Sequence, residues 1–172
     1  MVDNLNPAQR SACMAAIRGE HTQPECILRK ALHRAGYRYR CNYPYLPGKP
    51  DVIFPVCRKI IFVHGCFWHR HRCKKGRSTP LNRKRFWEAK FHRNIERDRQ
   101  VRKRLHRLGW QVLIIWECQI NRQPEKTIQR AIHFLQSIGA NTKKSKYMHA
   151  TTRIHAKQQQ KQRVPPPHLR TA

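Results

Sequence analysis

Acids are scarce in this chain: 9 Asp and Glu stand against 37 Lys and Arg in 172 residues, a formal net charge of +28. Such an imbalance costs self-repulsion unless a polyanion is the partner, and phosphate binding with counterion release is its direct physical reading. A merely solvated basic surface is the bland alternative, and a pI near 11.1 weighs against it. Long apolar runs are also missing, and none approaches the length needed to span a bilayer. The first ten residues hold no apolar signal core, so a cytoplasmic protein with no membrane association is expected. The seven cysteines are odd in number and scattered, which argues against a disulfide framework. In a cytoplasmic chain, clustered cysteines read better as metal ligands. No internal repeat is visible.

A length of 172 residues with 39% hydrophobic content suits one domain with a real core, plus a tail. Asn6-Pro7 opens a short helix running to about Arg18. Thr22-Gln23-Pro24-Glu25 has the spacing of a capping box. The helix after it carries Ile27, Leu28, Ala31, Leu32 and Ala35 on one face, and Gly36 stops it. Tyr37 to Arg40 alternates like a strand, and the proline-rich stretch from Tyr43 to Pro50 is a loop. Asp51 to Phe54 and Lys59 to Val63 read as two buried strands joined by a short turn. Residues 74–84 are basic and turn-rich, a loop expected to lie over nucleic acid. A long charged helix from Phe86 to Leu108 ends at Gly109, Trp110 to Trp116 is a buried strand, and a last helix runs from Pro124 to Ile138. The order α-α-β-β-β-α-β-α predicts an α/β domain over 1–140, a mixed central sheet flanked by helices. From Asn141 onward there are no acids, eight Lys or Arg, a Gln run and Pro165-Pro166-Pro167, so 141–172 is expected to be a disordered basic tail. Cys13, Cys26 and Cys57 read as small, half-buried hydrophobes.

The densest chemistry lies in Phe62-Val63-His64-Gly65-Cys66-Phe67-Trp68-His69-Arg70-His71-Arg72-Cys73. Cys66, His71 and Cys73 have the spacing of metal ligands, and three in eight residues are hard to ascribe to chance. A closed tetrahedral zinc site needs a fourth. Cys118, just past the Trp110–Trp116 strand, is the best remaining candidate, because a neighbouring strand can bring it alongside. The spacing also permits a swapped set that uses His69.

Asp51 opens an apolar strand after Pro50, where a carboxylate is a hard oxygen ligand suited to Mg²⁺. A lone Asp there would read as a turn cap. This one has company, since His64 ends the next strand and His69 follows. An imidazole near a phosphate can take a proton from water, or as a cation stabilise the pentavalent transition state. Spacing alone therefore points to a metal-dependent nuclease.

Four blocks belong together: Leu46-Pro47-Gly48-Lys49-Pro50-Asp51; His64 through Cys73; Phe86-Trp87 with Lys90, Asn94, Arg97 and Asp98; and Gly109-Trp110 through Trp116-Glu117-Cys118. Jointly they resemble the very-short-patch, Vsr-type, mismatch repair endonucleases. Order and spacing match over about residues 8–120, and the resemblance does not reach the tail. It implies a fold similar to type II restriction endonucleases and strand-specific nicking on the 5′ side of the T in T:G mismatches. Such mismatches arise when 5-methylcytosine deaminates. It implies that Asp51 and the main-chain carbonyl of Val63 hold catalytic Mg²⁺, that His69 is the general base or acid, and that His64 supports it. Glu25 and Asp98 would form an acidic surround, with Asn94 near them. Cys66, His71, Cys73 and Cys118 would hold structural zinc. Phe67, Trp68 and Trp87 would wedge into the duplex beside the mismatch, with Met14 inserting from the opposite groove. On residue grounds alone, Trp87 and Met14 serve a helix-face core almost equally well. A monomer acting on double-stranded DNA in a bacterial nucleoid, with mismatch-repair proteins as partners, completes the expectation.

Two departures stand out. Val63 occupies a position where the family commonly has Thr, which is tolerable if only the main-chain carbonyl binds metal. Arg70 and Arg72 interrupt a block often richer in histidine, and both suit phosphate contacts. Two rival readings are a nuclease of different site specificity on the same fold, and a zinc-containing DNA-binding module without catalysis.

Overall fold

The computed structural model describes residues 19–137 and the isolated positions 6, 8, 9, 12 and 16. Met14, Cys13, most of the expected first helix, the boundary near 140 and the basic tail lie outside the described residues. The described elements run α1 (Gln23–Arg34), β1 (Arg40–Cys41), β2 (Val52–Phe54), β3 (Lys59–His64), α2 (Lys74–Arg77), α3 (Lys84–Arg107), β4 (Gln111–Trp116), α4 (Glu117–Arg122) and α5 (Pro124–Gln136). The four strands form one mixed sheet in the order β1-β2-β3-β4. The pairs β1·β2 and β2·β3 are antiparallel, and β3·β4 is parallel. A parallel pair needs a long crossover, which α2 and α3 supply.

Alternation along the strands splits the core into two layers. Val52, Phe54, Ile61 and Ile115 face α1, α4 and α5, where Leu28, Leu32, Ile120, Ala131 and Leu135 meet them. Ile53, Ile60 and Phe62 face the other way, onto Leu105, Val101 and Trp110. Each fully buried Leu or Ile contributes roughly 1.5–3 kcal/mol of transfer free energy, so the two layers pin the register of β3, which a one-residue slip would invert. The expected α/β class, a sheet flanked by helices, is what the described residues form.

Lys59 is the unusual core member, only 1% exposed. Its Nζ donates to the carbonyls of Phe134, Leu135 and Ser137, the orphan acceptors at the end of α5. A cation at a helix C-terminus complements both those carbonyls and the macrodipole. Burial lowers its pKa.

Three local expectations differ from the fold. The strand foreseen at Tyr37–Arg40 shrinks to Arg40–Cys41, because the Tyr37 and Tyr39 rings instead pack edge-on against Phe54. Thr22 precedes α1, but its hydroxyl donates to Glu25 Oε1 at 2.8 Å, and Glu25 Oε2 accepts the N–H of His21 at 3.0 Å. The box is thus displaced by one residue. Short helices form at Lys74–Arg77, inside the expected basic loop, and at Glu117–Arg122, where Gln119 Oε1 accepts the N–H of Trp116 at 3.1 Å.

Candidate active site and metal centre

The site begins where the β2·β3 ladder stops. Val52, the first residue of β2, pairs with Ile61, whereas β3 continues to His64. Asp51 turns its side chain into the gap, and its Oδ2 accepts the N–H of Val63 at 2.7 Å. Pro50 just before it is buried and has no N–H to offer. Burial pushes the Asp51 carboxyl up to about 6; the Val63 hydrogen bond opposes the rise and the nearby Glu25 charge adds to it. A half-desolvated carboxylate beside another carboxylate is a place where a cation binds favourably.

His64, at the end of β3, is buried, and its ring stacks on His69 with centroids 3.8 Å apart and planes 16° off parallel. Burial, followed by the His69 charge, lowers the His64 pKa to about 3, so the ring is neutral at physiological pH. His69 Nδ1 is hydrogen-bonded to Asp98 Oδ2 on α3. Burial alone would raise Asp98, but the His69 contacts and the Arg97 guanidinium outweigh it and hold the carboxyl below its ordinary range. A carboxylate on Nδ1 fixes ring orientation and leaves Nε2 for proton transfer. Asn94, one turn before Asp98, donates to the Trp68 main-chain carbonyl at 3.1 Å and so pins the loop that carries His69.

Phe67, Trp68 and Trp87 meet in one aromatic group, with Phe67–Trp68 centroids at 5.1 Å, Phe67–Trp87 at 5.5 Å and Trp68–Trp87 at 6.0 Å. All three are half-buried. Phe91 is the buried anchor beneath them, while Phe86 is 50% exposed at the rim. The Lys90 ammonium lies over the Trp68, Phe86 and Trp87 rings. The aromatic group, Asp51, His64, His69 and Asp98 all line a single cleft of about 1580 Å³. Five of the nine acids of the chain, Glu20, Glu25, Asp51, Asp98 and Glu117, also line it.

Beside this cleft, Cys66, His71, Cys73 and Cys118 bring one donor atom each to within 4.8 Å of one another. The edges of a zinc tetrahedron with such ligands are about 3.3–3.8 Å. Cys66 Sγ and Cys118 Sγ lie 3.9 and 3.4 Å from His71 Nδ1, which fits a closed four-ligand set. His69 groups instead with His64 and Asp98. Cys118 reaches the site from the start of α4, and its N–H donates to Cys66 Sγ. Burial pushes Cys66 up to about 12, and a dication would oppose that rise by favouring the thiolate. Gly76 closes the loop: a Cβ there would stand 2.0 Å from the His71 carbonyl oxygen.

Sequence reasoning missed several residues here. Arg29 is 7% exposed, and its Nη2 donates to Glu25 Oε2 at 3.0 Å, Asn42 Oδ1 at 2.9 Å and the Asp51 main-chain carbonyl at 3.0 Å. It ties α1 to the start of β2, and its i,i+4 spacing from Glu25 was the available signal. Glu117 bridges the two sites, accepting from the Cys66 N–H at 3.2 Å and from Lys75 at 2.6 Å. Glu25 itself is held by Arg29, Thr22 and His21, whereas Asp98 serves His69, so the two acids sit in different networks.

Comparison with known proteins gives concordant matches. The family model described as DNA mismatch endonuclease Vsr matches residues 2–75. The DNA mismatch endonuclease Vsr of Escherichia coli K12 is 42% identical over 132 residues, covering 77% of this chain and 83% of that protein. The type II nicking enzyme V.XorIIP of Xanthomonas oryzae pv. oryzae is 40% identical over 121 residues, covering 70% of this chain and 88% of its own. V.NaeI of Lentzea aerocolonigenes, also a type II nicking enzyme, is 37% identical over 134 residues.

Proposed function

The chain belongs to the Vsr family of DNA mismatch endonucleases and is a DNA endonuclease, and on that premise we propose that it makes a strand-specific, Mg²⁺-dependent nick 5′ of the T in T:G mismatches. These are the mismatches left when 5-methylcytosine deaminates, and the nick starts very short patch repair. The observation that carries the reading is the joint placement of Asp51, the His64–His69 stack with Asp98, and the aromatic group in one cleft.

The residues divide the work by chemistry. Asp51 offers its second carboxylate oxygen to a metal ion, the first being taken by the Val63 N–H. The N–H and C=O of one strand residue project to the same side, so the Val63 carbonyl shares the edge that Asp51 occupies. Because that contact uses the main chain, Val in place of Thr leaves the proposed donor set intact. Mg²⁺ bound there would supply positive charge to a scissile phosphate. His69, oriented by Asp98, takes a proton from the attacking water or returns one to the leaving oxygen. Neutral His64 holds the plane of the His69 ring. Glu25, through Arg29, supports the Asp51 backbone rather than touching substrate. We read the mixed sheet with its metal-binding Asp at the strand edge as a restriction-endonuclease-like scaffold. The Cys66, His71, Cys73 and Cys118 set is read as structural zinc, since four protein donors leave no open position.

Phe67, Trp68 and Trp87 act as the wedge. Their half-buried rings expose edges to the cleft, and a mismatch lowers the unstacking cost of a few kcal/mol that a wedge must meet. Met14 would complete it from the opposite groove. The molecule acts as a monomer on double-stranded DNA, upstream of other repair proteins. No helix among the described residues is long and apolar enough to cross a membrane, and a nucleoid-associated, cytoplasmic location suits such a substrate.

A strand-labelled duplex with one T:G mismatch, incubated with Mg²⁺ beside its T:A control, tests the whole reading. One nick 5′ of the mismatched T, lost with Asp51→Ala, is expected. Equal nicking of matched duplex would favour a different specificity, and tight binding without any nick would favour a DNA-binding module.

A further inference from the structure

A second cavity, of about 600 Å³, is lined by residues 69–72 of the metal loop and shares His69 with the catalytic cleft. Its walls present donors and an apolar floor but no carboxylate. Arg72 and Arg130 are exposed on it and form no ion pair among the described residues. Arg130 makes one long contact, 3.4 Å, to Gln119 Oε1, which already accepts the Trp116 N–H. His71 turns Nδ1 toward the sulfurs of Cys66 and Cys118, so Nε2, on the other side of the ring, is the edge available to the cavity. A metal-ligating imidazole ordinarily donates that second N–H to an acceptor, and among the described residues no hydrogen bond is made at it. Ile95, 48% exposed, and Trp116, stacked on His71 at 4.4 Å, supply the apolar floor. Arg70 does not take part, because its guanidinium is committed to the carbonyls of Ser78 and Arg77.

We propose that this cavity is a phosphate subsite, in which Arg72, Arg130 and His71 Nε2–H hold one backbone phosphodiester of the duplex whose scissile bond lies at His69, with the adjoining deoxyribose on Ile95 and Trp116. This rests on the reading of the neighbouring cleft as the nicking site. The subsite sets the register of the strand, because it fixes a phosphate at a set distance from the reacting one. It also couples DNA binding to the metal loop, since one residue, His71, serves both.

The test combines a backbone map with a charge-matched control. Methylphosphonate replaces each phosphate in turn along both strands of the mismatched duplex, and binding is measured for the wild type, for Arg72→Gln/Arg130→Gln, and for Arg34→Gln/Arg38→Gln, which removes two exposed charges elsewhere. The wild type and the Arg34/Arg38 variant should lose affinity several-fold at one flanking position. The Arg72/Arg130 variant should bind the unmodified duplex more weakly and show no further loss at that position. Its salt slope should fall by about 1, at about 0.9 per phosphate contact, with metal content and Tm unchanged. Equal maps for all three proteins, or equal slope changes for the two variants, would reduce Arg72 and Arg130 to bulk charge and overturn the proposal. Inorganic phosphate that binds the wild type while the duplex map stays flat would assign the cavity to the free ion and overturn it as well. A wild type that never nicks, yet shows the Arg72/Arg130-dependent position, would count against the reading of the cleft and for this subsite.

Discussion

The carboxylate of Asp51 accepts the main-chain N–H of Val63 at 2.7 Å, across the point where the shorter strand β2 has already ended. One hydrogen bond thus closes an otherwise open sheet edge and leaves a half-buried carboxylate facing the cleft. Its energetic consequence is a conflict between function and stability.

That conflict predicts a stabilised but inactive variant. Asp51 titrates near 6 when folded, above its ordinary 3.8. A raised pKa favours folding at pH below about 3.8, and that contribution is lost as pH rises through 6. At pH 8 the ionised carboxylate therefore costs the metal-free protein about 3 kcal/mol. Asp51→Asn keeps the acceptor for Val63 and removes the charge. Thermal melts in chelator should show a higher Tm than wild type at pH 8 and little difference at pH 4, while nicking disappears. A variant less stable than wild type at pH 8 would refute the assignment.

Asp98 should matter through His69 rather than through binding. Asp98→Ala frees the imidazole to rotate, and the expected loss in single-turnover nicking is about 10²-fold, within the usual range for general acid–base chemistry. Affinity for the mismatched duplex should stay within about twofold, set by the phosphate and wedge contacts instead. A comparable fall in affinity would assign Asp98 to DNA or metal binding.

Acid should destabilise the protein through His64. Its pKa drops from 6.5 to about 3 on folding, because burial and the His69 charge oppose protonation. A depressed value contributes stability that is present above 6.5 and lost as pH falls toward 3, which amounts to about 2 kcal/mol by pH 5. Urea unfolding of His64→Phe, which keeps a ring in the stack, should depend less on pH between 7 and 5 than the wild type does. Identical pH slopes would place the acid sensitivity elsewhere.

Removing the metal of the Cys66, His71, Cys73 and Cys118 set should loosen the loop that carries Phe67 to His69. Elemental analysis should find one zinc per chain. Stripping it, or introducing Cys118→Ser, should cost several kcal/mol, seen as a Tm drop on the order of 10 °C. Full-length protein without zinc and with an unchanged Tm would rule the centre out.

The aromatic group should separate into a wedge and an anchor. Trp68→Ala should reduce the preference for mismatched over matched duplex by about 1–2 kcal/mol, a share of the unstacking energy, with Tm little changed. Phe91→Ala, which empties the buried floor, should instead cost about 3 kcal/mol or more in stability. If Trp68→Ala unfolds the protein and leaves discrimination intact, Trp68 is core.

Local patterns carried much of this molecule. The strands expected at 51–54, 59–63 and 110–116 and the helices expected at 86–108 and 124–138 form within one or two residues of those bounds, because periodicity and short-range sterics read alike in any compact chain. The crowding of His and Cys in 64–73 likewise belongs to the sequence, since ligands from one loop need no tertiary partner to be near each other. Thr22 misled because a hydroxyl can donate to Glu25 as readily as it can cap a helix, and only the path of His21 decided between them.

Tertiary structure alone decided the rest, because those contacts join residues far apart in the chain. The parallel β3·β4 pair brings Cys118 to Cys66, and α3 brings Asp98 to His69, which separates His69 from the thiol set. Arg29 could be paired with Glu25 from spacing, but its hold on the Asp51 carbonyl depends on how α1 packs against the sheet. Charge behaves in the same way. Composition declared a polyanion partner, yet that five of nine acids collect in one cleft of so basic a chain is a property of packing, since a buried carboxylate persists only where neighbours or a cation offset its desolvation.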